Sequence, residues 1–66
     1  MVDEQAVEIE KNARYRLLQS ANRARNDGFS CETWVKHPDV RKMSLKYNLH
    51  TDILVHIGAW VWTFRR

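Results

Sequence analysis

Four residues of this chain could ligate zinc, and three of them are histidines: Cys31, His37, His50 and His56. Zinc takes thiolate sulfur and imidazole nitrogen in a tetrahedral set, and structural sites space those ligands in close pairs. The intervals here are five, twelve and five intervening residues, which match no such pairing. Two positions six apart on one helix lie about 240° from each other, so His50 and His56 converge only if His50 sits in a turn. The residues therefore read as binding no metal and no cofactor. Cys31 is expected to be a small buried apolar residue on a short helix, and the histidines to be helix-end or surface residues.

A nucleophilic cysteine paired with histidine would need an oriented base and an oxyanion pocket. A chain of 66 residues with only two glycines has no Gly-rich loop and little concave space for either, so it reads as a non-enzyme. Asp3, Glu4, Glu8 and Glu10 suggest paired carboxylates by count alone, because they fall where a helix N-terminus favours negative charge. Arg14, Arg16, Arg23 and Arg25 flank an apolar stripe on both sides, the arrangement of arginines lying along a packing boundary or rimming an interface.

Those side chains need elements to carry them. At this length a single domain is expected, and three tryptophans, two tyrosines and two phenylalanines at ordinary charge density favour a folded chain. The lone cysteine forms no internal disulfide, which leaves oligomerisation as the usual support for so small a core. From Asp3 to about residue 27 apolar or small residues recur as Val2, Ala6, Ile9, Ala13, Leu17, Ala21 and Ala24, near the helical period, with Asp3 as N-cap and Gly28 as terminator. Ser30 can cap a short helix over residues 30–36 that carries Trp34 and Val35. Pro38 at a first helical position opens a third helix over 38–48, closed by Asn48 in left-handed geometry, and Thr51 or Asp52 caps a last helix over 51–65.

On a helical wheel the last helix carries one broad apolar face, Ile53, Leu54, Ile57, Trp60, Val61 and Phe64, which suffices for a core. A second stripe of Val55, Ala59 and Trp62 lies opposite. Either the first helix and the Trp34 helix cover that stripe, or another chain does; a small domain has little material to wrap a helix completely, so contact with a second copy or a target is the favoured reading.

Residues Val40 to Ala59 resemble a helix-turn-helix unit, with Met43, Ser44 and Tyr47, then Asn48 where glycine is usual, then Leu49, Leu54 and Ile57 at inward positions. The outward side of its second helix would be His50, Thr51, Asp52, Val55, His56 and Ala59, which include none of the Arg, Lys, Asn or Gln that make most bidentate base contacts. Phosphate contacts from Arg41, Lys42, Lys46, Arg65 and Arg66 are the best support for DNA as a partner. A formal charge of +3 with no polybasic arm is too mild to decide the matter.

The sequence thus reads as a small all-α domain, a long N-terminal helix followed by a helix-turn-helix-like half, expected as a homodimer. Asp3 and Glu4 close behind Met1 argue against a secretory leader, and the apolar stretch Ile53–Phe64, broken by His56, falls short of the ~20 residues that cross a bilayer, so a cytoplasmic protein without membrane contact is expected. In size and style it looks like the small regulators and inhibitors of host proteins carried by bacteriophages and mobile elements. The expected function is regulation by protein–protein binding through Tyr47, Trp62 and Arg41 beside Val55 and Ala59, with a helix-turn-helix DNA-binding regulator as the alternative.

Overall fold

The computed structural model describes residues 4–64, with side chains from residue 11 onward. Four α-helices follow one another: α1 (Glu4–Asn26), α2 (Cys31–Lys36), α3 (Pro38–Lys46) and α4 (Thr51–Ala59). The last runs without a break into a π-helical turn, Trp60–Phe64. No strand occurs among the described residues, and the small all-α domain expected from the sequence is what forms. Val2, Asp3, Arg65 and Arg66, and the side chains of Glu4, Ala6, Glu8, Ile9 and Glu10, lie outside the described residues.

Local chemistry places the helix ends. At the end of α1 the Phe29 N–H donates to the Ala24 carbonyl at 2.9 Å and the Gly28 N–H to that of Arg25 at 3.1 Å, with Gly28 at φ 88°. Such a paired closure needs a left-handed residue, which glycine supplies without a Cβ clash. The end of α3 repeats it with Asn48 at φ 53°, the Leu49 N–H donating to the Ser44 carbonyl at 2.8 Å and the Ser44 hydroxyl to the Leu49 carbonyl at 3.0 Å. Ser30 caps α2, its Oγ accepting from the Thr33 N–H at 3.1 Å, and Pro38 opens α3 while His37 Nδ1 accepts from the Asp39 N–H at 3.2 Å. The cap of α4 differs from expectation: it is His50, in extended geometry and with no side-chain bond, while Thr51 and Asp52 already lie inside the first turn.

The core is formed by Leu17 and Ala21 of α1, Trp34 of α2, Val40 of α3, and Leu54, Ile57 and Val61 of the last helix. Ala13, Leu17 and Ala21 are completely buried, so the small side chains of the α1 stripe bring its backbone close to its neighbours. Trp34 is the largest buried residue; its indole N–H donates to Ser20 Oγ at 3.1 Å and its ring lies 5.8 Å from that of Trp62. Gly58 is also buried, and a Cβ built there would collide with Cys31 Sγ and touch the Trp34 ring at 3.7 Å. Glycine at this position lets α2 and α4 meet backbone to side chain.

The π-helical turn alters which residues of the last helix face inward. An i→i+5 ladder advances each residue through less than the ~100° of an α-helix, so positions after Ala59 fall progressively behind the wheel. Trp62 is thereby carried toward the core, where its ring lies tilted by 40° against that of Trp34 and its indole N–H donates to the Phe29 carbonyl at 3.1 Å. Phe64 is carried away and stands 75% exposed, and Trp60 is 43% exposed. The six-residue apolar face read from the sequence therefore divides: Leu54, Ile57 and Val61 are buried, Ile53 is half-buried, and Trp60 and Phe64 are at the surface.

Two mutations test this packing. Trp34→Ala is expected to cost about 3–5 kcal/mol. That is comparable with the ~3–10 kcal/mol available to a domain of this length, so the variant should be largely unfolded by circular dichroism. Gly58→Ala sets a helix-propensity gain of about 1 kcal/mol against an overpacking cost of about 1–3 kcal/mol, giving net destabilisation in urea titrations. In a Cys31→Ala background the same change should become neutral or stabilising, since the colliding sulfur is gone; the same sign in both backgrounds would show that the close approach is not limiting.

Candidate interaction surfaces

Between α1 and α4 runs an open groove of about 410 Å³. Leu18 and Ile57 lie along it, Tyr15 and Trp60 stand beside it, and Lys11, Arg14 and His56 form its rim. Tyr15 is 62% exposed, so two aromatic side chains from different helices meet solvent at one place. The hollow continues along α4 past Arg14, His56 and Ile57 to Ile53 and Asp52. No helix among the described residues is long and apolar enough to cross a membrane.

The other flank of α1 has a different chemistry. At ~100° per residue, Arg14, Leu18 and Tyr15 lie to one side of the buried Ala13–Leu17–Ala21 line, while Arg16 and Ser20 lie to the other. On that side Arg16 Nη1 donates to Tyr47 Oη at 3.5 Å, and the Lys46 ammonium sits 5.5 Å from the centre of the Tyr47 ring. Arg41 and Lys42, like Lys46, are exposed on α3. Arg41 lines a small hollow of about 160 Å³ with Leu49 and Leu54, beside which Leu45 is 82% exposed.

The residues singled out in the sequence are distributed over these surfaces rather than gathered at one. Val55 and Ala59 are exposed on α4, Tyr47 and Trp62 are half-buried, and Arg41 is exposed on α3. Trp62 meets Trp34 and the Phe29 carbonyl within the chain, so its indole is already engaged. His50, Thr51, Asp52, Val55, His56 and Ala59, the outward positions of the helix-turn-helix resemblance, are all exposed. Tyr15 and Leu18 were not legible as site residues, although their i, i+3 spacing beside the alanine stripe marks a widened apolar face. Trp60 falls on the core face only at α-helical pitch, and the π-helical turn leaves it at the surface.

No group of three or more His, Cys, Asp or Glu side chains able to hold a metal occurs among the described residues. Cys31 lies half-buried against Gly58, and burial pushes its thiol above its ordinary value. On α2 the Lys36 ammonium hydrogen-bonds Glu32 at 2.9 Å, and that bond, with the attraction of the two charges, holds the exposed Glu32 carboxyl below the usual range. Comparison with family models, with curated proteins and with solved structures finds no match for this chain.

Cys31 and the histidines yield two tests. EDTA should leave the melting temperature unchanged; a fall of several degrees, with stoichiometric zinc by elemental analysis, would overturn the metal-free reading. The raised thiol pKa gives less thiolate at neutral pH, so iodoacetamide should alkylate Cys31 more slowly in the folded protein than in urea. The folded state holds this proton more tightly than the unfolded one. Stability is therefore undiminished below the ordinary thiol pKa and declines as pH rises through it, levelling off above the folded value.

Proposed function

We propose that this chain is a small non-enzymatic regulatory protein that acts by occupying a surface of another protein, in the manner of the compact inhibitors and modulators carried by phages and mobile elements. The observation that supports this reading is the groove between α1 and α4, where Tyr15, Trp60 and Arg14 surround apolar Leu18 and Ile57. Tryptophan, tyrosine and arginine are the residue types that dominate measured interface energies, because each combines large contact area with hydrogen bonding. Val55 and Phe64 add exposed apolar area on the last helix. The same surfaces can pair with a second copy, and a stable pair needs about 800 Å² from each partner.

The second reading is a helix-turn-helix DNA-binding regulator. What favours it is the closed turn at Asn48 between α3 and α4, together with exposed Arg41, Lys42 and Lys46. The outward face of α4 weighs against it, since it lacks base-reading side chains and places Asp52 where phosphate would repel it.

Affinity capture with immobilised wild-type protein tests the first reading. A partner retained by the wild type should be lost, by about 2 kcal/mol or ~30-fold in affinity, in both Tyr15→Ala and Trp60→Ala, each shown folded by circular dichroism. Retention by both variants would remove the groove from the interface. Self-association is read separately by sedimentation: a dimer at micromolar concentration that Trp60→Glu dissociates is expected, and a wild-type monomer across that range would leave only the heterologous partner.

A further inference from the structure

The cationic edge formed by α1 and α3 has no role in the groove reading and does not depend on it. Arg16 comes from α1, and Lys46 and Tyr47 from the end of α3, yet the guanidinium reaches the Tyr47 hydroxyl and the ammonium its ring, at 3.5 and 5.5 Å. Two positive charges are thus held at one aromatic side chain. Among the described residues the Lys36 ammonium pairs with Glu32 at 2.9 Å, and no described carboxylate pairs with Arg16, Lys42 or Lys46. From Val40 to Asn48 the chain contains no acid at all.

We propose that Arg16, Tyr47 and Lys46, extended along α3 by Lys42, form a sequence-independent contact site for the phosphate backbone of duplex nucleic acid. Like charges gathered without a counterion repel one another, and a bound phosphate turns that repulsion into attraction. The Tyr47 oxygen accepts from Arg16, which leaves its own proton to donate to a phosphate oxygen. Guanidinium, phenol and ammonium donors then converge from two helices. Lys42 and Lys46 lie one helical turn apart, ~6 Å along the axis, so the charges form a line rather than a cup.

That line favours a polymer of phosphates over a single phosphorylated side chain. The described residues include no buried polar or charged side chain, so nothing here encloses one phosphate as a pocket would. The negative end of the α3 dipole attracts Lys46, but it accounts neither for Arg16, which arrives from another helix, nor for Lys42, which precedes the last turn. Phosphate contacts carry no sequence information, so the site should bind duplexes of any sequence.

Fluorescence anisotropy with a labelled mixed-sequence duplex of about 20 bp, at salt from ~50 to ~200 mM, tests the proposal. Engagement of three or four phosphates gives a log–log salt slope of about −3. Arg16→Gln and Lys46→Gln should each make the slope shallower by about one. Tyr47→Phe, which keeps the ring and loses the hydroxyl, should weaken binding without changing the slope. Lys36→Gln removes the same charge from α2 and should change the slope little. The proposal is overturned if no duplex binds at the lowest salt, or if the folded Arg16→Gln, Lys46→Gln double variant keeps the wild-type slope. Equal affinity for a phosphopeptide or for polyglutamate would also overturn it, since the site would then read charge without a phosphate backbone.

Discussion

The structure depends on the close approach of α2 to α4 at Gly58. A six-residue helix has no independent stability, because helix nucleation is unfavourable and so few residues add little propagation. What holds α2 in place is Trp34, buried between the α1 stripe and the last helix with its indole N–H on Ser20. With Cys31 on the same short helix, that seat is reached because position 58 lacks a side chain: a Cβ there would collide with Cys31 Sγ, while it would meet the Trp34 ring only at ordinary contact distance. The tryptophan supplies much of the apolar area that a domain of this size can bury, and the glycine makes room for the Cys31 sulfur beside it.

The surfaces follow from that core. With Trp34 at the centre, the π-helical turn brings Trp62 over it, and the change of pitch that does so turns Trp60 and Phe64 outward. The exposed aromatic wall of the groove is therefore the counterpart of the buried pair. On α1 the alanines at 13 and 21 are wholly buried and narrow the inward stripe, so Tyr15 and Leu18 flank it beside the groove, and Arg16 flanks it toward α3. A larger inward stripe would have drawn more of these flanking side chains into the core.

Local chemistry was legible in the sequence wherever one residue decides the backbone. Gly28 and Asn48 take positive φ, Ser30 caps α2 and Pro38 opens α3, each for a reason present in the residue itself. Thr51 and Asp52 are better capping types than His50, yet the turn after Asn48 delivers the chain to helical geometry one or two positions earlier, which makes His50 the cap of α4. The roles of Trp60 and Trp62 could not be read, since both are apolar and only the pitch of the helix distinguishes them. Gly58 was equally silent: its meaning lies in Cys31 and Trp34, far away in the chain. Arg16 was read as a boundary arginine, and its partner Tyr47, 31 positions on, appears only when α3 folds back.

A domain this small has few ways to carry function without weakening itself. Removing Tyr15 or Trp60 from the surface to enlarge the core would require space that the alanine stripe and Gly58 do not leave, because a close-packed interior does not accept added volume without strain. The buried set is thus closed at Trp34 and its neighbours, and aromatic residues beyond it remain outside. Cations can be placed at the α1–α3 edge for a related reason: exposed charges are well solvated and screened, so their mutual repulsion detracts little from folding while remaining available to a polyanion. The core uses a minimum of large side chains, and the two flanks of α1 are left free to carry chemistry of different kinds.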